Sequence, residues 1–192
     1  MSKPPIPVGI SARHVHLSKE DLNTLFGEGF KLSNFKPLSQ PGQFASNERV
    51  DLKGEKGVFP GVRILGPVRG QTQIEISLTD AAKLGVKAPV RDSGDLADSA
   101  GLTLVGPKGE VTLHNGVIVA RRHIHMLPDD AEKYGVKDHD FVQIRVGDAN
   151  RSLIFDQVHV RVTETSSLEC HLDTDEANAA LAKTGDFCTI IK

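Results

Sequence analysis

Aromatic side chains and surplus positive charge are both scarce in this chain. There is no tryptophan and only one tyrosine, beside eight phenylalanines. Proteins that bind single-stranded nucleic acids stack bases on aromatic side chains, and nucleic-acid-binding domains generally carry a basic patch or stripe. Here 23 Lys and Arg residues stand against 25 Asp and Glu, for a formal net charge of −2. The composition therefore argues against nucleic acid as a partner.

Cysteines and long apolar runs are also few. Cys170 and Cys188 are the two cysteines of the chain, too few for a disulfide framework. No apolar run approaches the roughly 20 residues that a membrane-spanning helix needs, and residues 1–7 lack the apolar core of a secretion signal. We therefore expect a cytoplasmic protein with free thiols and no membrane partner.

Histidines, by contrast, follow a repeated pattern. Two near-copies of one phrase occur, Ser11-Ala-Arg-His-Val-His-Leu17 and Val119-Ala-Arg-Arg-His-Ile-His-Met126. Their β-branched neighbours favour strands, in which residues i and i+2 point to the same side. Each phrase thus places two imidazoles on one face, and neutral imidazole is the commonest metal ligand. The duplication predicts a metal site that includes His14, His16, His123 and His125.

A second repeated phrase joins a strand to a short helix. Four segments share it: residues 16–25, 76–87, 125–137 and 172–182. Ser18, with Asp21 in a capping-box position, Thr79 and Pro128 stand where three of the helices are predicted to begin. Glycines are predicted to end three of them: Gly85, Gly135 and Gly185.

Many short strand-like runs with Gly and Pro turns lie between these segments. The helices are only two to three turns long, so neither a Rossmann sheet nor a TIM barrel fits. The pattern favours a mainly β fold with short helices, as two small β-barrels capped by short α-helices. The repeats predict a duplication with a pseudo-two-fold axis. Residues 36–60, rich in Pro, Gly and polar residues, are predicted to be an ordered loop with short strands.

Two metal ions of catalytic type would need six protein ligands, three for each ion beside an open position. His171 stands immediately before a predicted helix, which is a typical ligand position, while Glu75 alternates within a strand and faces either solvent or a metal. Cys170 and His159 are the residues that would complete a closed, structural sphere instead. Arg69 lies among small residues, where an arginine either grips an anion bidentately or is a solvated loop residue.

Four blocks of sequence together resemble one known family. They are Ile10-Ser-Ala-Arg-His-Val-His-Leu-Ser18, Arg63-Ile-Leu-Gly-Pro-Val-Arg69 with Gln73-Ile-Glu-Ile-Ser77, Ala120-Arg-Arg-His-Ile-His-Met126, and Cys170-His-Leu-Asp-Thr-Asp-Glu-Ala-Asn178. In this order they resemble the PduL-type phosphotransacylases, the phosphate propanoyltransferases of propanediol utilisation. The resemblance runs from about Val8 to the C-terminus.

The resemblance implies a site and a domain organisation. It implies two zinc ions, one held by His14, His16 and Glu75, the other by His123, His125 and His171. It implies that Arg69 binds phosphate. The positions that line the coenzyme A groove in the family fall on Ser11, Lys36, Arg63, Leu65, His171 and Asn178. The family topology implies a first capped barrel of residues 13–120, a second of residues 1–12 plus 121–192, and an active site at their interface.

The implied reaction interconverts a short-chain acyl-CoA, propanoyl-CoA or acetyl-CoA, and phosphate with acyl phosphate and CoA. Two other functions stay open: a dinuclear zinc thioesterase or other hydrolase, with water in place of phosphate, and a non-catalytic CoA- or zinc-binding module.

A homo-oligomer is expected. Family members packaged in bacterial microcompartments often carry an N-terminal amphipathic extension, which the prolines at positions 4, 5 and 7 do not permit here. A cytoplasmic location is therefore favoured. Microcompartment association by another route stays open.

Overall fold

The computed structural model describes residues 3–191 and divides into two compact units. The described part of the barrel unit comprises residues 3–11, 39–41 and 121–191, and the sheet unit comprises residues 12–38 and 42–120. The described residues form fifteen strands and four helices. In chain order these are β1 (Ile6–Ser11), β2 (His14–His16), α1 (Lys19–Phe26), β3 (Asn34–Pro37), β4 (Phe44–Lys53), β5 (Val58–Gly66), β6 (Gln73–Glu75), α2 (Leu78–Leu84), β7 (Val90–Arg91), β8 (Thr103–Val105), β9 (Glu110–Thr112), β10 (Val117–Ala120), β11 (His123–Met126), α3 (Pro128–Tyr134), β12 (Phe141–Val146), β13 (Leu153–Val162), β14 (Glu169–Asp173), α4 (Thr174–Ala180) and β15 (Phe187–Ile190).

The barrel unit is a closed six-stranded barrel in the order β1-β14-β11-β13-β12-β15. Closure removes the unpaired edges that an open sheet exposes. Its strands alternate as their sequences require, since Val142, Ile144 and Val146 of β12 are buried while Phe141, just before them, and Arg145, between the last two, are exposed. Burying an aliphatic side chain of this kind contributes about 1.5–3 kcal/mol. The helices α3 and α4 close this core with Tyr134, Ala131 and Ala180.

The sheet unit is a nine-stranded sheet that curls into a half-barrel. Eight strands follow the order β7-β10-β6-β2-β5-β4-β8-β9, and β3 pairs with β4. The short strand β2 lies in the middle of this sheet, antiparallel to β6 and parallel to β5. The prediction of a mainly β fold with short helices, built as two small β-barrels, is therefore confirmed, with one barrel closed and the other a half-barrel.

Residues 36–60 are more regular than the predicted loop. The ten residues of β4 and the nine of β5 form a long hairpin through this region. Gly and Pro made this region look like a loop: Gly54 and Gly57 lie in the turn between the two strands, and Pro60 lies with Gly61 (φ 63°) at a register shift between them. The buried residues Val50, Leu52 and Phe59 anchor the hairpin in the core of the sheet unit.

All four predicted helices are present, but two of their boundaries differ from the prediction. Ser77, rather than Thr79, caps α2, because its Oγ accepts a hydrogen bond from Asp80 N at 3.2 Å. Gly85 and Gly135 end α2 and α3 in the left-handed conformation, as predicted. The helix α4 ends at Leu181, which takes the left-handed conformation (φ 53°) four residues before Gly185. Among residues 3–191, no helix is both long and apolar enough to cross a bilayer.

Candidate metal centres

The sheet unit brings His14, His16 and Glu75 together. Val15 points into the core with no exposed surface, so the two histidines that flank it share the opposite face of β2. Across the antiparallel pair, Glu75 of β6 lies directly opposite His14, which puts both side chains on the same face. One ligand atom from each of the three residues lies within 4.8 Å of the others, and all three residues are buried. We name these three side chains the His14 group.

The imidazoles of the His14 group have their ring nitrogens oriented by the protein. His14 donates from Nδ1 to the carbonyl oxygen of Ala12 at 2.8 Å, and its Nε2 lies 3.4 Å from Glu75 Oε2. Burial alone would lower the pKa of His14, but the Glu75 carboxylate and the Ala12 carbonyl outweigh it and raise the pKa. Burial, together with His14 and Arg69, lowers the pKa of His16 to about 2. His16 is therefore a neutral imidazole at any physiological pH.

The barrel unit brings His123, His125 and His171 together in the same way. His123 and His125 flank the buried Ile124 of β11, and His171 of β14 lies directly opposite His123 across an antiparallel pair. The three ring centroids lie 4.6–5.0 Å from one another, edge to face. The Nε2 atoms of His123 and His125 are 3.0 Å apart. We name these three side chains the His123 group.

Both groups have donors that fit a divalent transition metal. His16 Nδ1 is buried with no close hydrogen-bond partner among the described residues, although the backbone of Leu65 interacts with this ring, and burial keeps the imidazole neutral, the form that binds metal. In the His123 group two ring nitrogens face each other at hydrogen-bond distance, and His123 already directs Nδ1 at the carbonyl oxygen of Arg121, 2.7 Å away. Two or three imidazoles with at most one carboxylate, and three ligands in all, are typical of catalytic zinc sites that keep an open position.

Arg69 lies beside the His14 group. Its backbone N–H donates to the carbonyl oxygen of Leu17 at 2.9 Å, and Leu17 directly follows His16 in the chain. Its guanidinium is half-buried, contacts Ser93 Oγ at 3.3 Å, and lies near enough for its positive charge to oppose protonation of both imidazoles, although the pKa of His14 stays raised overall. An arginine held in this way presents a fixed positive charge next to the candidate metal ligands.

The candidate coenzyme A residues fall into two sets. Lys36 belongs to β3, and Arg63 and Leu65 belong to β5; both strands pair with β4 of the sheet unit, one on each side. Arg63 is fixed there, since it donates to the carbonyl oxygen of Ser46 and stacks over the ring of Phe35. Ser11, His171 and Asn178 belong to β1, β14 and α4 of the barrel unit. Lys36 and Asn178 are exposed, and the other four are partly buried.

Neither alternative metal ligand joins the His123 group. Cys170 lies in the apolar core of the barrel, because alternation along β14 points it away from His171. A hydrogen bond with Cys188 and burial raise the pKa of its thiol well above the ordinary value. His159 instead pairs with His139, with Nδ1 of His139 and Nε2 of His159 3.1 Å apart. Cys170 and His159 therefore do not complete a closed, four-ligand metal site with the His123 group.

Three neighbours of the candidate ligands were not predicted. Gln73 Nε2 donates to Glu75 Oε1 at 2.6 Å, and Ser93 Oγ donates to the same oxygen at 3.1 Å. Glu169 Oε2 accepts a hydrogen bond from His171 Nε2 at 2.6 Å. Burial opposes ionisation of Glu169, but this bond and one from Ser39 lower the pKa of its carboxyl. Gln73 and Glu169 share the i, i+2 spacing with their partners and could have been found from it; Ser93, on a distant turn, gives no such signal.

The fold and these two groups define the class: a mainly β protein with two candidate metal centres of the open, three-ligand type. Residues 7–183 match the family model described as phosphate propanoyltransferase. The chain belongs to the phosphate propanoyltransferase family. The family resemblance predicted from the four sequence blocks is thus confirmed, as is the prediction that the chain is an enzyme of this family, an acyltransferase.

Relatives named phosphate propanoyltransferase align with nearly the whole length of this chain. A phosphate propanoyltransferase of Thermotoga maritima is 57% identical over 190 residues, which cover 99% of this chain and 90% of that protein. One of Lachnoclostridium phytofermentans is 51% identical over 187 residues, covering 97% and 87%. One of Clostridioides difficile is 49% identical over 187 residues, covering 97% and 89%.

Proposed function

We propose that this protein interconverts a short-chain acyl-CoA and inorganic phosphate with acyl phosphate and CoA. Membership of the phosphate propanoyltransferase family gives the reaction. The observation that carries the proposal is the position of Arg69, half-buried beside a three-ligand group. A fixed guanidinium next to an open metal position suits the binding of a phosphate anion for attack on a thioester.

We assign one zinc ion to the His14 group and one to the His123 group. A bound zinc ion supplies Lewis acidity for the thioester carbonyl and a soft centre for the thiolate of CoA. The protein's own part is to hold the ligands in their coordinating form. Burial keeps His16 neutral, and the carbonyl oxygens of Ala12 and Arg121 hold Nδ1–H of His14 and His123, which leaves Nε2 of each ring for the metal.

Arg69 would bind and orient phosphate. The guanidinium forms paired hydrogen bonds to two oxygens of a phosphate, and its backbone bond to Leu17 fixes where those bonds point. A phosphate oxygen then attacks the thioester carbon, the new C–O bond forms, the C–S bond breaks, and CoA departs as a thiolate that takes up a proton. Orienting a hydrated dianion in this way removes much of the entropic barrier to attack.

The transfer is direct, without an acyl-enzyme. Ser93, a serine in contact with the His14 group, donates its hydroxyl hydrogen to Glu75, which is a metal-ligand candidate rather than a general base. Covalent catalysis needs a nucleophile activated by an adjacent general base. Incubation with radiolabelled acyl-CoA in the absence of phosphate should therefore leave no label on the protein; a stoichiometric labelled protein would refute direct transfer.

One assay separates this function from its alternatives. CoA release from propanoyl-CoA and acetyl-CoA is measured with and without phosphate, together with the metal content of the purified protein by elemental analysis. The proposal expects two zinc ions per chain and release that depends on phosphate and yields acyl phosphate. Phosphate-independent release would identify a thioesterase, and metal or CoA binding without release would identify a non-catalytic module.

The remaining assignments depend on the family resemblance. They are the contact of Ser11, Lys36, Arg63, Leu65, His171 and Asn178 with coenzyme A, the use of both ligand groups in one active site, a homo-oligomeric state, a cytoplasmic location and any association with a microcompartment. The acyl chain is a separate question, because one methylene is worth only about 1–3 kcal/mol in an apolar pocket. We therefore propose both propanoyl-CoA and acetyl-CoA as substrates.

A further inference from the structure

The two ligand groups are built on the same strand register. In each, an antiparallel pair sets the first histidine of the His-x-His phrase opposite the third ligand: His14 opposite Glu75, and His123 opposite His171. Two residues earlier on the partner strand, another polar side chain lies opposite the second histidine. These positions are held by Gln73, opposite His16, and Glu169, opposite His125.

Gln73 and Glu169 each form a hydrogen bond with the third ligand of their group, Gln73 as the donor and Glu169 as the acceptor. Gln73 donates from Nε2 to the carboxylate of Glu75 at 2.6 Å. Glu169 accepts from Nε2–H of His171, also at 2.6 Å. Where the third ligand is an acceptor its neighbour is a donor, and where the third ligand is a donor its neighbour is an acceptor.

We propose that Gln73 and Glu169 are equivalent positioning residues, each matched to the third metal ligand of its own group. Glu169 fixes the ring orientation and tautomer of His171, and Gln73 fixes the carboxylate of Glu75. The proposal rests on the metal centres of the proposed function and not on the acyl-transfer reaction. Hydrogen-bonded partners of this kind orient a ligand, and a carboxylate that accepts from a ligating histidine also raises the basicity of that histidine.

The matching also equalises charge. Counted with its positioning residue, each group contains one carboxylate, Glu75 in the sheet unit and Glu169 in the barrel unit. A divalent cation bound to either group would therefore meet the same formal charge on the ligands and positioning residues themselves, and Arg69 adds a positive charge beside the His14 group. In one group the carboxylate charge is on a ligand, and in the other it is one hydrogen bond away.

Both positioning residues are themselves held. Gln73 Oε1 accepts from the backbone N–H of Gly94 at 2.8 Å, and its Nε2 also contacts Ser93 Oγ at 2.8 Å. Glu169 accepts a hydrogen bond from the hydroxyl of Ser39. Its carboxyl group also packs over Gly9, where an added Cβ would lie 2.8 Å from Glu169 Cδ. Neither side chain is free to turn away from its ligand.

Glu169→Gln tests the proposal without removing any ligand. The purified variant and the wild type are freed of metal, titrated with zinc against a competing chelator, and compared by the absorption spectrum of the cobalt form. We expect one of two sites to lose about 10- to 100-fold in affinity and its cobalt bands to shift, while the other site keeps its wild-type affinity. Glu164→Gln, which removes an exposed carboxylate of the same unit, is the charge-matched control and should change neither.

A double variant tests the matching itself. Glu169→Gln with His171→Glu transplants the Gln-x-Glu pair of the sheet unit into the barrel unit. We expect it to bind zinc at the weakened site more tightly than Glu169→Gln alone, since the amide again faces a carboxylate. Gly9→Ala, which displaces the Glu169 carboxylate without removing it, should also weaken that site, and circular dichroism checks that each variant is folded.

The outcomes separate the two proposals. If the wild type binds two zinc ions and folded Glu169→Gln binds both as tightly, the positioning role is refuted while the proposed function stands. A double variant no better than the single one would refute the matching. If the wild type binds no metal, both the metal centres and the positioning residues are refuted together.

Discussion

At the scale of single residues, a substitution of Arg69 distinguishes a catalytic role from a structural one most directly. Its side chain neighbours the His14 group without being a ligand, and its backbone holds the Leu17 carbonyl regardless of side chain. Arg69→Ala should therefore keep both metal ions and lose about 10²–10³ of the turnover with phosphate, the usual cost of removing one preorganised donor.

Steady-state rates at varied phosphate and elemental analysis of the same preparation check this prediction. Arg69→Lys is the matched control, because it keeps the charge and loses the paired hydrogen bonds. We expect it to recover part of the activity, with a raised KM for phosphate. Loss of metal from Arg69→Ala would show that the arginine is structural instead.

Residue-level prediction from the sequence succeeded where chemistry and spacing coincide. His14 and His16 could be placed on one face because strand periodicity depends only on local backbone geometry. Glu75 could not be decided, since alternation gives its face but not what lies opposite. The alternative of Cys170 as a ligand is excluded for the complementary reason: it adjoins His171 in sequence, so the pleat turns it into the barrel core.

At the scale of secondary-structure elements, each ligand strand leads within a few residues into a short helix. Ser18 begins α1 two residues after His16, and its Oγ accepts from Asp21 N at 3.0 Å. The reciprocal half of the predicted capping box is replaced, because Ser18 N donates to Thr72 Oγ1 at 2.8 Å and Asp21 accepts from the Thr72 hydroxyl. The cap thereby ties the helix to the residue before β6.

Ser18→Ala should destabilise this element by about 1 kcal/mol, the usual cost of losing an N-cap oxygen. Urea unfolding followed by circular dichroism measures the change. Lys19→Ala, at the next and fully helical position, alters an exposed side chain and should stay within about 0.5 kcal/mol of the wild type. Equal losses in both variants would mean that the hydroxyl does not cap α1.

Element boundaries were harder to predict than element types. Ser77 and Thr79 are both competent caps, and the choice depends on where β6 ends, which β2 and β10 decide through pairing. The long hairpin of β4 and β5 was missed because its Gly and Pro residues look like loop sequence in isolation. That Pro60 and Gly61 lie at a register shift in the pairing of β4 with β5 is a tertiary fact.

At the scale of the whole molecule, the duplicated phrases predicted a repeated architecture, and each unit does build a three-ligand group on an equivalent antiparallel pair. The repeats could not show how the outermost strands of each sheet are paired. In the barrel unit β1, from the start of the chain, pairs with both β14 and β15 and closes the barrel. Such pairing joins residues more than 160 positions apart, such as Val8 and Cys170, and no local pattern encodes it.

Because each unit carries its own ligand group, metal should stabilise the whole protein. A ligand that binds only the folded state adds RT ln(1 + [L]/Kd), about 2.7 kcal/mol for each site at a free-metal concentration 100 times Kd. Removing metal with a chelator should therefore lower the thermal unfolding midpoint, and zinc, but not magnesium, should restore it. Magnesium prefers oxygen ligands, and five of the six candidate ligands are imidazoles. A midpoint unchanged by complete metal removal, verified by elemental analysis, would contradict both centres.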